Sequence, residues 1–151
     1  MVCTFFGHRD TPPAIKPVLR QVILDLIEHN GVDRFYVGNQ GNFDTMTQSI
    51  LTEFEQSYAI RHFIVLAYLT EKDSLPCIAD TVLPDGIETV LPRFAIEYRN
   101  KWMLDRSDYV ITYVCRSFGG AAKFKKIAAN KQKKIIELSE KELISGCRFN
   151  I

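Results

Sequence analysis

The chain starts with an apolar run that stops at a glycine, Thr4-Phe5-Phe6-Gly7-His8-Arg9-Asp10, and a helical pattern follows. The same succession recurs in Phe35-Tyr36-Val37-Gly38-Asn39-Gln40-Gly41-Asn42-Phe43-Asp44, and again from Tyr109-Val110-Ile111-Thr112-Tyr113-Val114 to Gly119-Gly120-Ala121-Ala122-Lys123. Glycine lets backbone N–H groups approach a ligand closely, and a helix N-terminus favours anionic groups. Three such junctions at one sheet edge predict a phosphate or nucleotide site.

Helices are predicted after each junction. Apolar residues recur at helical spacing from Ile15 to Ile27, and Asn30-Gly31 is a typical helix end. Thr11 is expected to cap this helix, with Pro12 in its first turn. Further helices are predicted from Phe43 to Tyr58, Phe94 to Asp105 and Gly120 to Asn130.

Five strands are predicted, at Val2 to Phe6, Arg34 to Val37, Phe63 to Ala67, Tyr109 to Val114 and Lys134 to Leu138. Strands alternating with helices indicate an α/β fold, a Rossmann-like doubly wound parallel sheet with helices on both faces. Ligands of such sheets lie beyond the carboxyl ends of the strands, at the switch point. If the strands at 2–6 and 109–114 are neighbours, the Gly7 and Gly119 junctions meet there.

The whole chain, 1–151, is predicted to be one domain, because its length suits one domain with a sizeable core. Residues 70–92 lack periodicity and contain three prolines, which is typical of a functional loop or a lid, although short helices remain an alternative. Residues 139–151 form a tail whose role the pattern does not indicate.

Composition is that of an ordinary globular protein, with 46% hydrophobic and 25% charged residues and a net charge of +1. No global field favours nucleic acid or membrane, and the longest apolar run, Phe63 to Leu69, is too short to cross a bilayer. Without a leader pattern, a cytoplasmic protein is expected.

Four scattered cysteines and three scattered histidines argue against a zinc site and a disulfide framework. The four cysteines are Cys3, Cys77, Cys115 and Cys147. Cys3 and Cys115 fall in strand-like runs, and we expect both to be buried thiols.

The first two junctions carry titratable and charged side chains. Arg9 is suited to clamp a phosphate, or else pairs with a nearby carboxylate, and His8 is suited to donate to a phosphate or to transfer a proton. Asp44 either satisfies helix amides or accepts from a ribose hydroxyl. Gly38, Asn39 and Gly41 allow positive φ and exposed N–H groups there.

The third junction and the helix before it complete the candidate set. Gly119-Gly120-Ala121 opens a helix with small residues only, which suits either an anion or tight helix–strand packing. Arg99-Asn100 is read either as a solvated polar face or as part of the site. The lysines between 123 and 134 favour a solvated face over nucleic-acid binding, because no aromatic residues interleave them.

Together these motifs resemble the YpsA-like branch of the SLOG superfamily. The matching residues are Gly7-His8-Arg9, Gly38-x-x-Gly41-x-Phe43-Asp44, Arg99-Asn100 with Met103 before Ser107-Asp108, and Gly119-Gly120-Ala121. The resemblance implies a Rossmann-like fold that binds a nucleotide-derived ligand at the glycine turns, a site residue at Arg99, and a homodimer through the helices. Its relatives include LOG phosphoribohydrolases, DprA DNA-processing proteins and sensor domains.

One departure bears on catalysis. LOG enzymes carry Pro-Gly-Gly-x-Gly-Thr-x-x-Glu, whereas this chain has Phe118-Gly119-Gly120-Ala121-Ala122-Lys123-Phe124-Lys125-Lys126, without the threonine or the catalytic glutamate. Lys123 is a candidate for positive charge near a phosphate. The expected function is therefore a sensor or regulator that binds a nucleotide-derived small molecule. The alternatives are a nucleotide hydrolase that uses His8 or Asp44, and a protein-interaction module without a ligand.

Overall fold

A computed structural model describes residues 1–68 and 80–139. Within them the chain forms six strands: β1 Val2–Gly7, β2 Arg34–Val37, β3 Arg61–Val65, β4 Asp80–Val82, β5 Tyr109–Tyr113 and β6 Lys134–Glu137. All neighbouring strands are parallel, in the order β4-β3-β2-β1-β5-β6. The predicted α/β class with a doubly wound parallel sheet is therefore confirmed.

The same described residues contain four α-helices: α1 Lys16–Asn30, α2 Asn42–Phe54, α3 Ala95–Asp105 and α4 Gly120–Asn130. Short 3₁₀ turns precede α1, at Pro13–Ile15, and α3, at Pro92–Phe94. The predicted helix end at Asn30-Gly31 is confirmed, since Gly31 follows α1 with φ 64° and donates its N–H to Leu26 O.

The order of the strands creates a switch point beside β1. Along the chain, β2, β3 and β4 follow one another on one side of β1. The chain then crosses over, and β5 and β6 lie on the other side of β1. β1 pairs with β5 from Cys3↔Tyr109 to Gly7↔Tyr113, so both strands end at the same edge. These two strands are therefore neighbours, which is the condition under which the Gly7 and Gly119 junctions meet at one edge.

Alternation along β1 separates two apolar layers. Cys3 and Phe5 belong to the core that contains the apolar faces of α1 and α2, whereas Phe6 packs with α3 and α4. The Phe6 ring stacks on Phe124 of α4 at 5.1 Å between centroids. The sheet is thus covered by helices on both faces.

Two predictions about local structure are wrong. Asp80–Val82 forms a sixth strand at the sheet edge inside the stretch predicted to be irregular, and its three residues have no apolar pattern that would have identified it. Thr11 does not cap α1, because its hydroxyl donates to His8 O at 2.5 Å and a 3₁₀ turn intervenes. Residues 69–79 of the predicted loop and 140–151 of the predicted tail lie outside the described residues.

The cysteine prediction is right at one position and wrong at another. Cys3 is fully buried in β1, and burial raises the pKa of its thiol far above the usual range. Cys115 is exposed, because β5 ends at Tyr113 and the thiol lies in the loop that follows. Cys77 and Cys147 lie outside the described residues. No helix in the described part of the chain is long and apolar enough to span a bilayer.

Candidate functional site

A crevice of about 290 Å³ lies beyond the carboxyl ends of β1 and β5. All three glycine junctions and α3 contribute to its walls. The lining residues are Phe5, Phe6, Gly7, His8, Arg9, Asp10, Gly38, Gln40, Asp44, Ile96, Arg99, Asn100, Met103, Arg116, Gly120 and Ala121. This is where parallel α/β sheets bind their ligands.

His8 is held between the first and third junctions. The imidazole is buried, and its Nε2 accepts a hydrogen bond from the Cys115 N–H at 3.3 Å. Burial and then the nearby Arg116 charge lower the pKa of His8, although Asp10 partly opposes them. The ring is therefore neutral near pH 7, with Nε2 already engaged by the backbone.

Arg9 joins the first junction to the second. Its carbonyl accepts from the Asn42 N–H at 2.8 Å, and its exposed guanidinium donates to Gln40 Oε1 at 3.1 Å. Within the described residues Arg9 has no carboxylate at ion-pair distance, so the alternative interpretation of Arg9 as a partner of a nearby carboxylate is not supported there. The guanidinium remains at the mouth of the crevice.

An ion pair between Asp10 and Arg116 joins the first junction to the third. Hydrogen bonding to Arg116 lowers the pKa of Asp10, and the same contact raises the pKa of Arg116. Both side chains are well exposed, so the pair contributes little to stability. Arg116 thereby joins Arg9 and Arg99 as the arginines that line the crevice.

The second junction is an ordered turn held by side chains of α2. Asp44 Oδ2 accepts from the Gln40 N–H at 2.8 Å, and Gln48 Nε2 donates to Gly38 O at 2.7 Å. Burial raises the pKa of the Asp44 carboxyl, although the Gln40 N–H, Arg99 and Arg9 oppose the shift. The Oδ2 atom of Asp44 therefore stabilises the turn before α2. It does not accept hydrogen bonds from amides within that helix.

Arg99 is the most unusual side chain of the site, because only 3% of it is exposed. Its Nε donates to Asn100 Oδ1 at 3.0 Å, and its Nη1 donates to Asn39 Oδ1 at 3.2 Å and to Val65 O at 3.3 Å. Burial lowers the pKa of Arg99, although Asp44 opposes this. The interpretation of Arg99-Asn100 as a solvated face is wrong, since both residues are buried in the crevice wall.

The glycines of the first two junctions are surrounded closely by protein atoms. A Cβ added to Gly7 would lie 2.2 Å from the Phe43 ring, and one added to Gly41 would lie 2.6 Å from Arg9 Cα. A Cβ on Gly38 would lie 2.6 Å from Asp44 Oδ2 and 2.9 Å from Arg99 Nη1. These glycines therefore allow protein groups to converge around the crevice floor.

The start of α4 is open by comparison. Among residues 1–68 and 80–139, nothing lies within 4 Å of a Cβ added to Gly119 or Gly120, and no side chain caps this helix end. Its first turn contains no acidic residue that would repel an anion. Lys123 pairs with Glu97 at 2.6 Å on the exposed side of the helix.

Nine of the thirteen predicted site residues line the crevice: Gly7, His8, Arg9, Gly38, Asp44, Arg99, Asn100, Gly120 and Ala121. The other four support it from outside. Phe43 packs under Gly7, Gly41 packs on Arg9, Asn39 accepts from Arg99, and Gly119 precedes the first residue of α4.

Seven lining residues were not among the predicted site residues: Phe5, Phe6, Asp10, Gln40, Ile96, Met103 and Arg116. Asp10 and Gln40 lie inside the quoted glycine junctions, so position alone would have found them. Arg116 follows β5 without any pattern, and only its contact with Asp10 brings it into the wall.

Comparison with known proteins shows the fold and no more. No protein-family model and no curated protein matches the chain. The structure is similar to the X-ray structure of DNA processing protein A (DprA) from Streptococcus pneumoniae, with a TM-score of 0.55 and 12% sequence identity over 98% of this chain. The chain spans 62% of that protein. This likeness is one of fold, and it identifies neither a superfamily nor a branch within one.

Proposed function

We propose that this protein binds a nucleotide or nucleotide-derived small molecule in the crevice between the ends of β1 and β5, as a sensor or regulator. The proposal rests on one observation above all, the buried guanidinium of Arg99 in the crevice wall. A switch-point crevice is where α/β sheets bind ligands, and a buried cation there favours an anionic or polyhydroxylated one.

The partners of Arg99 support this proposal. Burying a guanidinium is costly unless opposite charge and hydrogen bonds compensate. Within residues 1–68 and 80–139 its hydrogen-bond partners are the neutral oxygens of Asn100, Asn39 and Val65, with no carboxylate at ion-pair distance. An oxygen-rich ligand would supply further acceptors.

The uncapped start of α4 gives a second reason. Gly120 and Ala121 line the crevice, and their N–H groups belong to the helix end that attracts anions. Arg9 and Arg116 also line the crevice. Phosphate oxygens at this end and ribose oxygens near Gly38 are the contacts that we propose.

Membership of the YpsA-like branch of the SLOG superfamily is part of this proposal. It is supported by the order of the Gly7-His8-Arg9, Gly38–Asp44, Arg99-Asn100 and Gly119-Gly120-Ala121 motifs, and by a fold shared with DprA. A homodimer through the helices is proposed on the same resemblance. Sedimentation at the mass of the monomer, even at the highest protein concentration, would contradict it.

The test is calorimetry against nucleoside mono- and diphosphates, nucleotide sugars and ADP-ribose, with a single-stranded oligonucleotide as a comparison. We expect one of the small molecules to bind, and the Arg9→Ala, Arg99→Ala double variant to bind it at least about 100-fold more weakly. Arg34→Ala, Lys101→Ala is the matched control, because it removes two exposed cations outside the crevice wall. Full binding by the crevice double variant would refute the assignment of the site.

Preferential binding of the oligonucleotide would instead favour a DNA-related role. We propose that nucleic acid is not the ligand, since three α4-region lysines pair with carboxylates: Lys123 with Glu97, Lys125 with Glu137, and Lys131 with Asp105. If no compound in the panel binds, the interaction module without a ligand becomes the better hypothesis.

A second candidate function is hydrolysis of a nucleotide, and the raised pKa of Asp44 favours it. A carboxyl group with a raised pKa that lines a crevice is suited to proton transfer. Product release from a panel of nucleoside monophosphates is the measurement. Turnover that Asp44→Asn abolishes while binding persists would establish this function. Absence of turnover would refute hydrolysis and leave ligand binding by a sensor as the proposed function.

A further inference from the structure

Two side chains of opposite charge converge over Gly38 from opposite faces of the sheet. Asp44 comes from α2 and Arg99 from α3, and both occupy the space that a side chain at position 38 would take. Asp44 Oδ2 and Arg99 Nη1 lie 2.6 and 2.9 Å from the Cβ position of Gly38. Each is fixed by other partners, Asp44 by the Gln40 N–H and Arg99 by Asn39, Val65 and Asn100.

This arrangement places the Asp44 carboxylate, an acceptor, beside the Arg99 guanidinium. Nη1 of Arg99 already donates both of its hydrogens, to Asn39 and Val65, so Nη2 is the group of Arg99 that would donate to a ligand. The two charges oppose each other, and a phosphate placed there would meet the Asp44 carboxylate at close range. A hydroxyl group satisfies both sides, since it donates to a carboxylate and accepts from a guanidinium. The point above Gly38 is therefore suited to a neutral, hydroxyl-bearing part of a ligand.

We infer that Asp44 and Arg99 bind the vicinal hydroxyl groups of a ribose, so that the site selects ribonucleotides over nucleotides that lack those hydroxyls. This inference rests on the proposed function and specifies it. It makes Asp44 a specificity-determining residue, with the phosphate at the other side of the crevice near Gly120.

The remaining walls agree with that orientation. Gly120, Ala121 and Arg116 offer amide donors and positive charge for the phosphate, and Ile96 and Met103 offer apolar surface for the base. A crevice of about 290 Å³ lies at the low end of small-molecule pockets, which run from roughly 300 to 1,000 Å³. A mononucleotide suits it better than a dinucleotide.

Asp44→Asn is the variant that tests this inference, because asparagine can keep the hydrogen bond that Asp44 makes within the protein. In Asp44→Asn the amide oxygen can still accept from the Gln40 N–H, so the turn keeps its internal contact. The charge is lost, however, and the amide NH₂ replaces an acceptor that faces the hydroxyls. A purely structural role of Asp44 would leave ligand selectivity unchanged in this variant.

The experiment measures affinities by calorimetry for AMP, GMP, CMP and UMP, each beside its 2′,3′-dideoxy counterpart and with inorganic phosphate as a further probe. We expect at least one ribonucleotide to bind about tenfold or more tightly than its dideoxy form. Asp44→Asn should reduce that ratio to about twofold or less, because the hydroxyls lose their charged acceptor. Glu53→Gln, an exposed change on the same helix, should leave the ratio as in the wild type.

The outcomes separate the two proposals. Equal binding of ribo- and dideoxy forms overturns the ribose assignment while the nucleotide site stands. A preference for one base that Asp44→Asn removes, with no effect of the hydroxyls, overturns it in favour of contact between Asp44 and a base edge. Failure of all four ribonucleotides to bind overturns both proposals for mononucleotides. Thermal unfolding of each variant confirms that it is folded at the temperature of the assay.

Discussion

The glycines after β1 and β2 are packed against other parts of the protein, whereas the glycines at the start of α4 border open space. A Cβ on Gly7 or Gly41 would clash with Phe43 or Arg9, and one on Gly120 would meet nothing within 4 Å. The same residue type therefore serves two purposes in one crevice. On one side it lets protein groups converge, and on the other it leaves a helix end accessible.

The largest expected effect is that of Gly41→Ala. Gly41 has φ +105°, and the added methyl would lie 2.6 Å from Arg9 Cα, a backbone atom that cannot move aside as a side chain does. Strain and overpacking together should lower the free energy of unfolding by about 3 kcal/mol or more, measured by urea denaturation.

Gly31→Ala is the control for this substitution. Gly31 also has positive φ, +64°, but nothing lies within 4 Å of an added Cβ. It should cost only about 1 to 2 kcal/mol, the price of the left-handed conformation. Equal losses in the two variants would show that the contact with Arg9 is unimportant.

Gly7→Ala should have the next largest effect. The added methyl would lie 2.2 Å from the buried Phe43 ring, so we expect a loss of about 1 to 3 kcal/mol in the free energy of unfolding. Phe43→Leu removes ring atoms at this contact, and the double variant should lose less than the sum of the two single variants. Strict additivity in this cycle would contradict the packing argument.

The same comparison explains what the sequence could predict. Strand-like segments of four to six residues identified β1, β2, β3, β5 and β6, but β4 has only Asp80-Thr81-Val82 and is defined by its pairing with β3. The doubly wound order followed from alternation of strands and helices. The doubly wound class depends on the alternation of strands and helices along the entire chain, which the sequence shows. An edge strand of three residues is too short to have a recognisable hydrophobic pattern.

The location of the crevice was predictable from the sequence, and the contacts inside it were less so. The glycine junctions marked the crevice, but the neighbours of each glycine depend on residues distant in the sequence. Phe43 lies beneath Gly7, and Arg99 reaches Gly38 from the opposite face of the sheet. The position of Arg99 on a predicted helix suggested that its side chain is solvated. The side chain is buried by the placement of α3, and no local pattern in the sequence indicates that burial.

A smaller effect is expected in the pH dependence of stability at the crowded side of the crevice. Burial raises the folded-state pKa of Asp44 above its ordinary value of 3.8. Between those two values the native state keeps a proton that the unfolded chain has lost, so this group's contribution to stability falls as the pH rises through the window. Above the folded pKa it is constant.

Urea denaturation of the wild type and Asp44→Asn between about pH 4 and pH 8 measures this contribution. The free energy of unfolding of the wild type minus that of the variant should decrease with rising pH and then level off. Glu53→Gln provides the control for an exposed carboxylate of α2. A difference that rises with pH would mean that Arg99 and Arg9 outweigh burial, and that the pKa of Asp44 is lowered.

The smallest effect on stability belongs to the open side of the crevice. Gly120→Ala adds a methyl where nothing lies within 4 Å, in a backbone conformation without positive φ. The free energy of unfolding should be unchanged or about 0.4 to 1 kcal/mol higher, because alanine restricts the unfolded chain. Gly119→Ala is the contrasting variant, since φ +95° makes it strained despite the same open space.

Affinity should move in the opposite direction to stability in Gly120→Ala. If phosphate oxygens approach the first amides of α4, the methyl enters their space, and we expect about tenfold weaker nucleotide binding by calorimetry. A variant that is as stable as the wild type and binds more weakly would show that openness, and not packing, is the reason for glycine at this helix start. Unchanged affinity would remove the α4 terminus from the site and leave Arg9, Arg99 and Arg116 as its candidate anion contacts.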